Sequence, residues 1–119
     1  MARTSTHSYT LFASAARDAS VAGDAVDVSH SKDLVVVLRC TVKTGSPTSL
    51  DVKLQGSYDG TNFFDFKTAL AFTQITAANG ECLQIANLGA KFIRAYATIV
   101  GGTPTTATFT FSVYAHGKS

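Results

Sequence analysis

Apolar and polar residues alternate along much of this chain with a period of two. Over residues 105–114, Ala107, Phe109, Phe111 and Val113 alternate with Thr106, Thr108, Thr110 and Ser112. Successive side chains of a strand point to opposite faces, so the pattern predicts a strand with one buried face. Over residues 50–58, Leu50, Val52 and Leu54 alternate with Asp51, Lys53 and Gln55. Over residues 91–99, Ile93, Ala95, Ala97 and Ile99 alternate with Phe92, Arg94, Tyr96 and Thr98. The outward face of that strand is partly aromatic, which predicts a cover from another segment or a partner. Leu34-Val35-Val36-Val37-Leu38 is apolar throughout and β-branched at its centre. It predicts a central strand, at least partly buried front and back. Weaker strand patterns lie at residues 9–13, 21–28, 63–66 and 81–86. The one helix candidate, residues 13–19, is short and contains serine.

The breaks between these segments carry turn chemistry. They are Gly45-Ser46-Pro47, Asp59-Gly60, Asn79-Gly80 and Gly101-Gly102-Thr103-Pro104. Asp-Gly and Asn-Gly supply the positive φ that tight hairpins need. Many strands, short turns and no sustained helical period predict an all-β chain. The expected architecture is a single-domain antiparallel β-sandwich over residues 9–119, with jelly-roll and Ig-like strand orders both open. Residues 1–8 read as a flexible N-terminal arm that orders against a neighbour. No repeat and no second domain is apparent.

Composition narrows the function. The chain has 119 residues, enough for one core without metal or disulfide support. Charged residues are 15% and hydrophobic residues 45%. The usual charged share is about 25%, so the surface is expected to be partly covered by neighbours. The net charge is +2 with both signs interspersed. Without a basic cluster, nucleic acid is not an expected partner. The polar start does not read as a secretion signal, and none is expected. No apolar stretch approaches the ~20 residues of a membrane-spanning helix. Cys40 and Cys82 both lie in strand segments and read as buried reduced thiols. Whether their strands are neighbours, and a disulfide therefore feasible, is left open.

Candidate chemistry is sparse. His30 shares a loop with Ser29, Ser31, Lys32 and Asp33, while His7 and His116 lie near the ends. A Ser-His-Asp triad requires partners converging from separate elements, which loop neighbours do not do. The acids Asp18, Asp24, Asp27, Asp33, Asp51, Asp59, Asp65 and Glu81 are scattered beside turns and on outward strand positions. Asp59-Gly60-Thr61-Asn62 with Asp65 lacks the spacing of a calcium loop. Tyr58, Phe63 and Tyr96 are the candidate aromatics for stacking a sugar ring, but packing is the favoured role in this Trp-free chain. No catalytic, cofactor-binding or metal-ligating residue, and no cofactor, is expected, so the chain reads as a non-enzyme.

Leu54-Gln55-Gly56-Ser57-Tyr58-Asp59-Gly60-Thr61-Asn62-Phe63 resembles the S-x-D-G-T-x-W/F hairpin of small phage virion β-sandwich proteins. The run from Phe72 to Gly80, the strand Lys91-Phe92-Ile93-Arg94-Ala95-Tyr96-Ala97 and the Gly-Gly-Thr-Pro turn follow in the same order. The likeness covers roughly residues 20–115. In such a hairpin Ser-x-Asp-Gly makes the turn and the following aromatic, here Phe63, folds back onto the core. The resemblance implies a virion component assembled in the host cytoplasm, most like a head decoration or cement protein. The implied partners are the major capsid protein and further copies of this chain, as a homo-oligomer or symmetric array, without nucleic acid or membrane. A tail or baseplate component and a carbohydrate-binding module (discoidin-like modules carry a similar hairpin) are the alternatives.

Overall fold

The computed structural model describes residues 6–44, 49–66, 70–86, 89–100 and 108–118. They are all-β and form two antiparallel sheets packed as one domain. The first sheet runs β1 (Thr6–Arg17), β9 (Thr108–Lys118), β4 (Asp33–Thr44), β7 (Asn79–Ile85). The second runs β2 (Val21–Ala22), β8 (Phe92–Val100), β5 (Ser49–Ser57), β6 (Phe64–Asp65), with β3 (Val26–Asp27) also pairing β8. The expected sandwich is therefore present.

The period-two patterns explain which strands lie at the centre. In β9, Phe109, Phe111, Val113 and Ala115 are fully buried. Small residues face large ones across the ladder: Gly117 pairs with Leu34 and Ala115 with Val36. In the second sheet Leu54 pairs with Ala95 and Val52 with Ala97. The inward faces of both sheets merge into one apolar cluster. Truncating a buried Phe costs about 3–5 kcal/mol, so Phe109 and Phe111 outweigh any surface pair. Two segments close the sandwich. Gly23 N–H donates to Ala95 O at 2.7 Å and Asp24 N–H to Leu11 O at 3.0 Å, tying the sheets together. On the far side of β5, Leu50 and Ile75 exchange backbone bonds at 2.8 and 2.9 Å, and Phe72 N–H reaches Val52 O at 2.9 Å.

Several expectations change. Residues 13–19 are not helical: β1 continues to Arg17, with Ala15, Ala16 and Arg17 opposite Phe111, Thr110 and Phe109. A helix that short does not offset its nucleation cost, whereas β9 offers a ready ladder. Asn79-Gly80 is not a turn tip but the start of β7, opposite Cys40 and Arg39. Gly60, at φ 77°, is the positive-φ glycine among the described residues. In the expected arm, Thr6, His7 and Ser8 pair with Lys118, Gly117 and His116; residues 1–5 lie outside the described residues. So do the turns at Gly45-Ser46-Pro47 and Gly101-Gly102-Thr103-Pro104, and the start of the alternation at 105–107. Val35 and Val37 are half-buried on the outward face.

The cysteines are free, Cys40 buried and Cys82 exposed. Their strands are neighbours, but Cys40 shares the inward face with Leu38, whereas Cys82 sits opposite outward Val37. Side chains on opposite faces of a sheet cannot be bridged. Cys82 thus departs from the expected pair of buried thiols. Burial pushes the Cys40 thiol pKa up.

Candidate functional site

The hairpin between β5 and β6 is built by two side chains. The buried Ser57 hydroxyl accepts the N–H groups of Asp59 at 3.2 Å and Gly60 at 3.0 Å and donates to Asp59 Oδ1 at 2.9 Å. Asp59 Oδ1 also accepts the N–H groups of Thr61 and Asn62, each at 2.9 Å, and Oδ2 accepts the Asn62 amide at 2.9 Å. Backbone donation from Asn62 and Thr61, then the Asn62 and Ser57 side chains, hold the carboxyl far below its usual range. Asp59 therefore organises the loop with its own oxygens. Asp65 is engaged elsewhere: Lys53 Nζ lies 3.0 Å away and the Gln55 amide donates at 3.0 Å. The Gln55 and Lys53 bonds lower its pKa. The described residues hold no cluster of metal-ligating side chains.

The aromatics sort differently from expectation. Phe63 does not fold onto the core. Its ring lies under the Arg94 guanidinium, 4.4 Å from centroid to carbon. Arg94 Nε also donates to Gln55 Oε1 at 2.8 Å. The ring closing on the turn is Phe92, which a Cβ on Gly60 would meet at 3.4 Å, and Phe66 packs against the core. Tyr96 is half-buried with Lys53 Nζ 5.8 Å from its ring centroid. The expected cover of the outward face of β8 is thus partly supplied by Lys53 over Tyr96 and by the Phe63 ring against Arg94.

Tyr58 and Phe64 stand free, 87% and 70% exposed. They flank an open cleft with Gly56, Asp65, Phe66 and Ala90 on its walls. Phe64 pairs with Gly56, which has no side chain to cover it. A Cβ on Gly56 would come within 2.8 Å of the Phe66 ring, so a side chain there would displace Phe66. Sequence reasoning singled out Tyr58 and missed Phe64. The available signal was an aromatic facing a glycine across a hairpin, readable only with the register in hand.

The histidines gather at one end of the sandwich. The His7 and His30 rings are 6.4 Å apart, and His116 Nδ1 is 3.1 Å from Ser8 Oγ. Neither loop serine joins them. The buried Ser31 hydroxyl bonds the Tyr9 hydroxyl at 2.7 Å, and Ser29 N–H donates to Asp27 Oδ1 at 2.9 Å. No helix of the described residues is long and apolar enough to cross a membrane.

No protein-family model matches the sequence, and no curated protein matches it. The chain is similar in structure to the SPBc2 prophage-derived protein YomS, with a TM-score of 0.62 at 14% identity. The match covers 100% of this chain and 97% of that one. At this identity the likeness establishes a shared fold.

Proposed function

We propose that this chain is a non-enzymatic structural protein of a phage virion, bound to the head surface as a decoration or cement protein. The observation that carries the reading is the whole-length fold likeness to a prophage-derived protein. The residue run Leu54 to Phe63, which resembles the hairpin sequence of small phage virion sandwiches, adds to it, although Phe63 packs under Arg94 and not onto the core. Large exposed apolar groups rimmed by polar residues mark interaction sites. Tyr58 and Phe64 are such groups, and aromatic anchors carry much of the energy of protein contacts. The partner is the major capsid protein. Each contact is modest in area, and repetition over a symmetric lattice multiplies it.

One observation favours a second reading. Two exposed aromatics beside the Asp65 carboxylate also suit stacking of a sugar ring. Antibody-gold labelling of intact particles from the source lysate separates these. Label over heads supports the decoration role. Label confined to tails moves the chain to the tail or baseplate. Absence of label from every particle overturns the virion reading, and a glycan array on the purified chain then tests sugar binding.

A further inference from the structure

The first sheet ends in two long edges, β1 and β7, and among the described residues only β1 is bulged and covered. β1 carries two register shifts. Its Leu11 carbonyl is taken by Asp24 N–H, and its Ala13 and Ala15 carbonyls by the Arg17 guanidinium. Bulges and cover are the usual means of blunting an edge strand. β7 has neither. It pairs β4 over seven consecutive residues without a register shift and contains no proline or lysine.

The direction of its backbone groups follows from side-chain bonds nearby. Thr110 C=O accepts the Thr41 hydroxyl at 3.5 Å and so faces β4; Phe111 C=O accepts Arg17 and so faces β1. Alternation through the pairs Arg39–Ser112 and Leu38–Glu81 then turns Glu81 and Leu83 toward β4. Gly80, Cys82 and Gln84 point away from it. In agreement, Gly80 N–H bonds the Asn79 side chain at 2.8 Å. No strand among the described residues pairs with that side of β7.

We propose that β7 pairs antiparallel with β7 of a second copy about a two-fold axis at Cys82, joining their first sheets into one. Cys82 is the middle residue of Asn79–Ile85, so this register pairs the full strand. Gly80 meets Gln84 of the second copy and Cys82 meets Cys82; the Cys82 and Gln84 N–H groups find outward C=O groups, and the Gly80 N–H exchanges its Asn79 bond for one to the Gln84 carbonyl. Charges do not collide, because Glu81 faces Leu83. The outward row Tyr114, Val37, Cys82 continues into the same row of the second copy, extending one apolar strip across the axis. Gly80 leaves room beside Arg39 for the incoming Gln84 amide. This self-matching of spacing, charge and apolar row favours a second copy over an unrelated strand. The pairing is independent of the virion reading, and labelling of particles does not decide it.

The test combines sedimentation velocity over a concentration series with native-state oxidation by diamide. Diamide takes up two electrons and two protons as two Cys82 thiols form one disulfide. A concentration-dependent dimer is expected, cross-linked through Cys82. Facing Cα atoms of such a pair lie about 5.5 Å apart, within disulfide reach. A Cys82→Ser, Gln84→Cys variant should form no disulfide within the dimer, because each introduced thiol faces Gly80 and the two lie well beyond the ~7 Å Cα limit. Cys82→Pro removes only an outward N–H, which edge strands tolerate, and should abolish the dimer while the circular dichroism is kept. A monomer at every concentration, or equal cross-linking from positions 82 and 84, overturns the proposal, even if the proline variant fails to fold.

Discussion

Asp59 shows how one exposed side chain sets a loop. The residue is exposed, yet donors from Asn62, Thr61 and Ser57 keep its carboxyl ionised well below the ordinary value of 3.8. The folded-state pKa is depressed, so the stabilisation is present above the unfolded value and is lost as pH falls through the folded one. Asp59→Asn should therefore lower Tm most at neutral pH. The deficit should close as pH drops below 3.8, read by thermal melts from pH 7 to about 2. Asp27 and Asp65 are also held low but titrate in both proteins, so they cancel in the difference. An unchanged deficit down to the lowest pH would rule the linkage out. Ser57→Ala leaves the Asp59 and Gly60 N–H groups without their acceptor and should cost about 1–3 kcal/mol in urea melts. The Asp-Gly turn was legible because positive φ is a local demand. The fate of Phe63 was not, since the Arg94 that captures its ring comes from another strand.

At the scale of elements, β1 depends on Arg17. The guanidinium sits 4.7 Å from the Phe12 ring centroid and 4.8 Å from that of Phe111. It donates to Ala13 O at 2.7 Å and Phe111 O at 3.1 Å. Burial lowers its pKa, while Asp24 opposes the shift. Lysine has no planar fork to span these acceptors. Arg17→Lys should cost about 1–2 kcal/mol, with amide exchange accelerating in β1 and not in β5. Uniform acceleration across both sheets would show that Arg17 is not a local clamp. The same contacts explain why residues 13–19 form a strand. Their small residues have no strong local preference for one, and the ladder and the guanidinium that decide it are remote in sequence.

For the whole molecule, the proposed docking patch should be separable from folding. Tyr58→Ser with Phe64→Ser should leave Tm nearly unchanged, since surface substitutions usually stay within about 0.5 kcal/mol. Co-sedimentation with particles should fall sharply. Retained binding would locate the contact elsewhere. Under the proposed function, stability and association draw on different residues. Buried Phe109 and Phe111 hold the sandwich, while exposed Tyr58 and Phe64 contribute almost nothing to it.

Much of this was present in the order of residues alone. The period of two identified β5, β8 and β9 and their buried faces, because burial of one face is a local pattern that survives any strand order. The all-β class and the Asp59-Gly60 hairpin followed for the same reason. Pairing across long sequence separations was decided only by the tertiary structure. It placed Cys40 and Cys82 on opposite faces, brought His7 to His30, turned Asn79-Gly80 into the head of a strand and set Phe64 against Gly56. Each of these depends on register between distant segments, and a slip of one residue reverses every face.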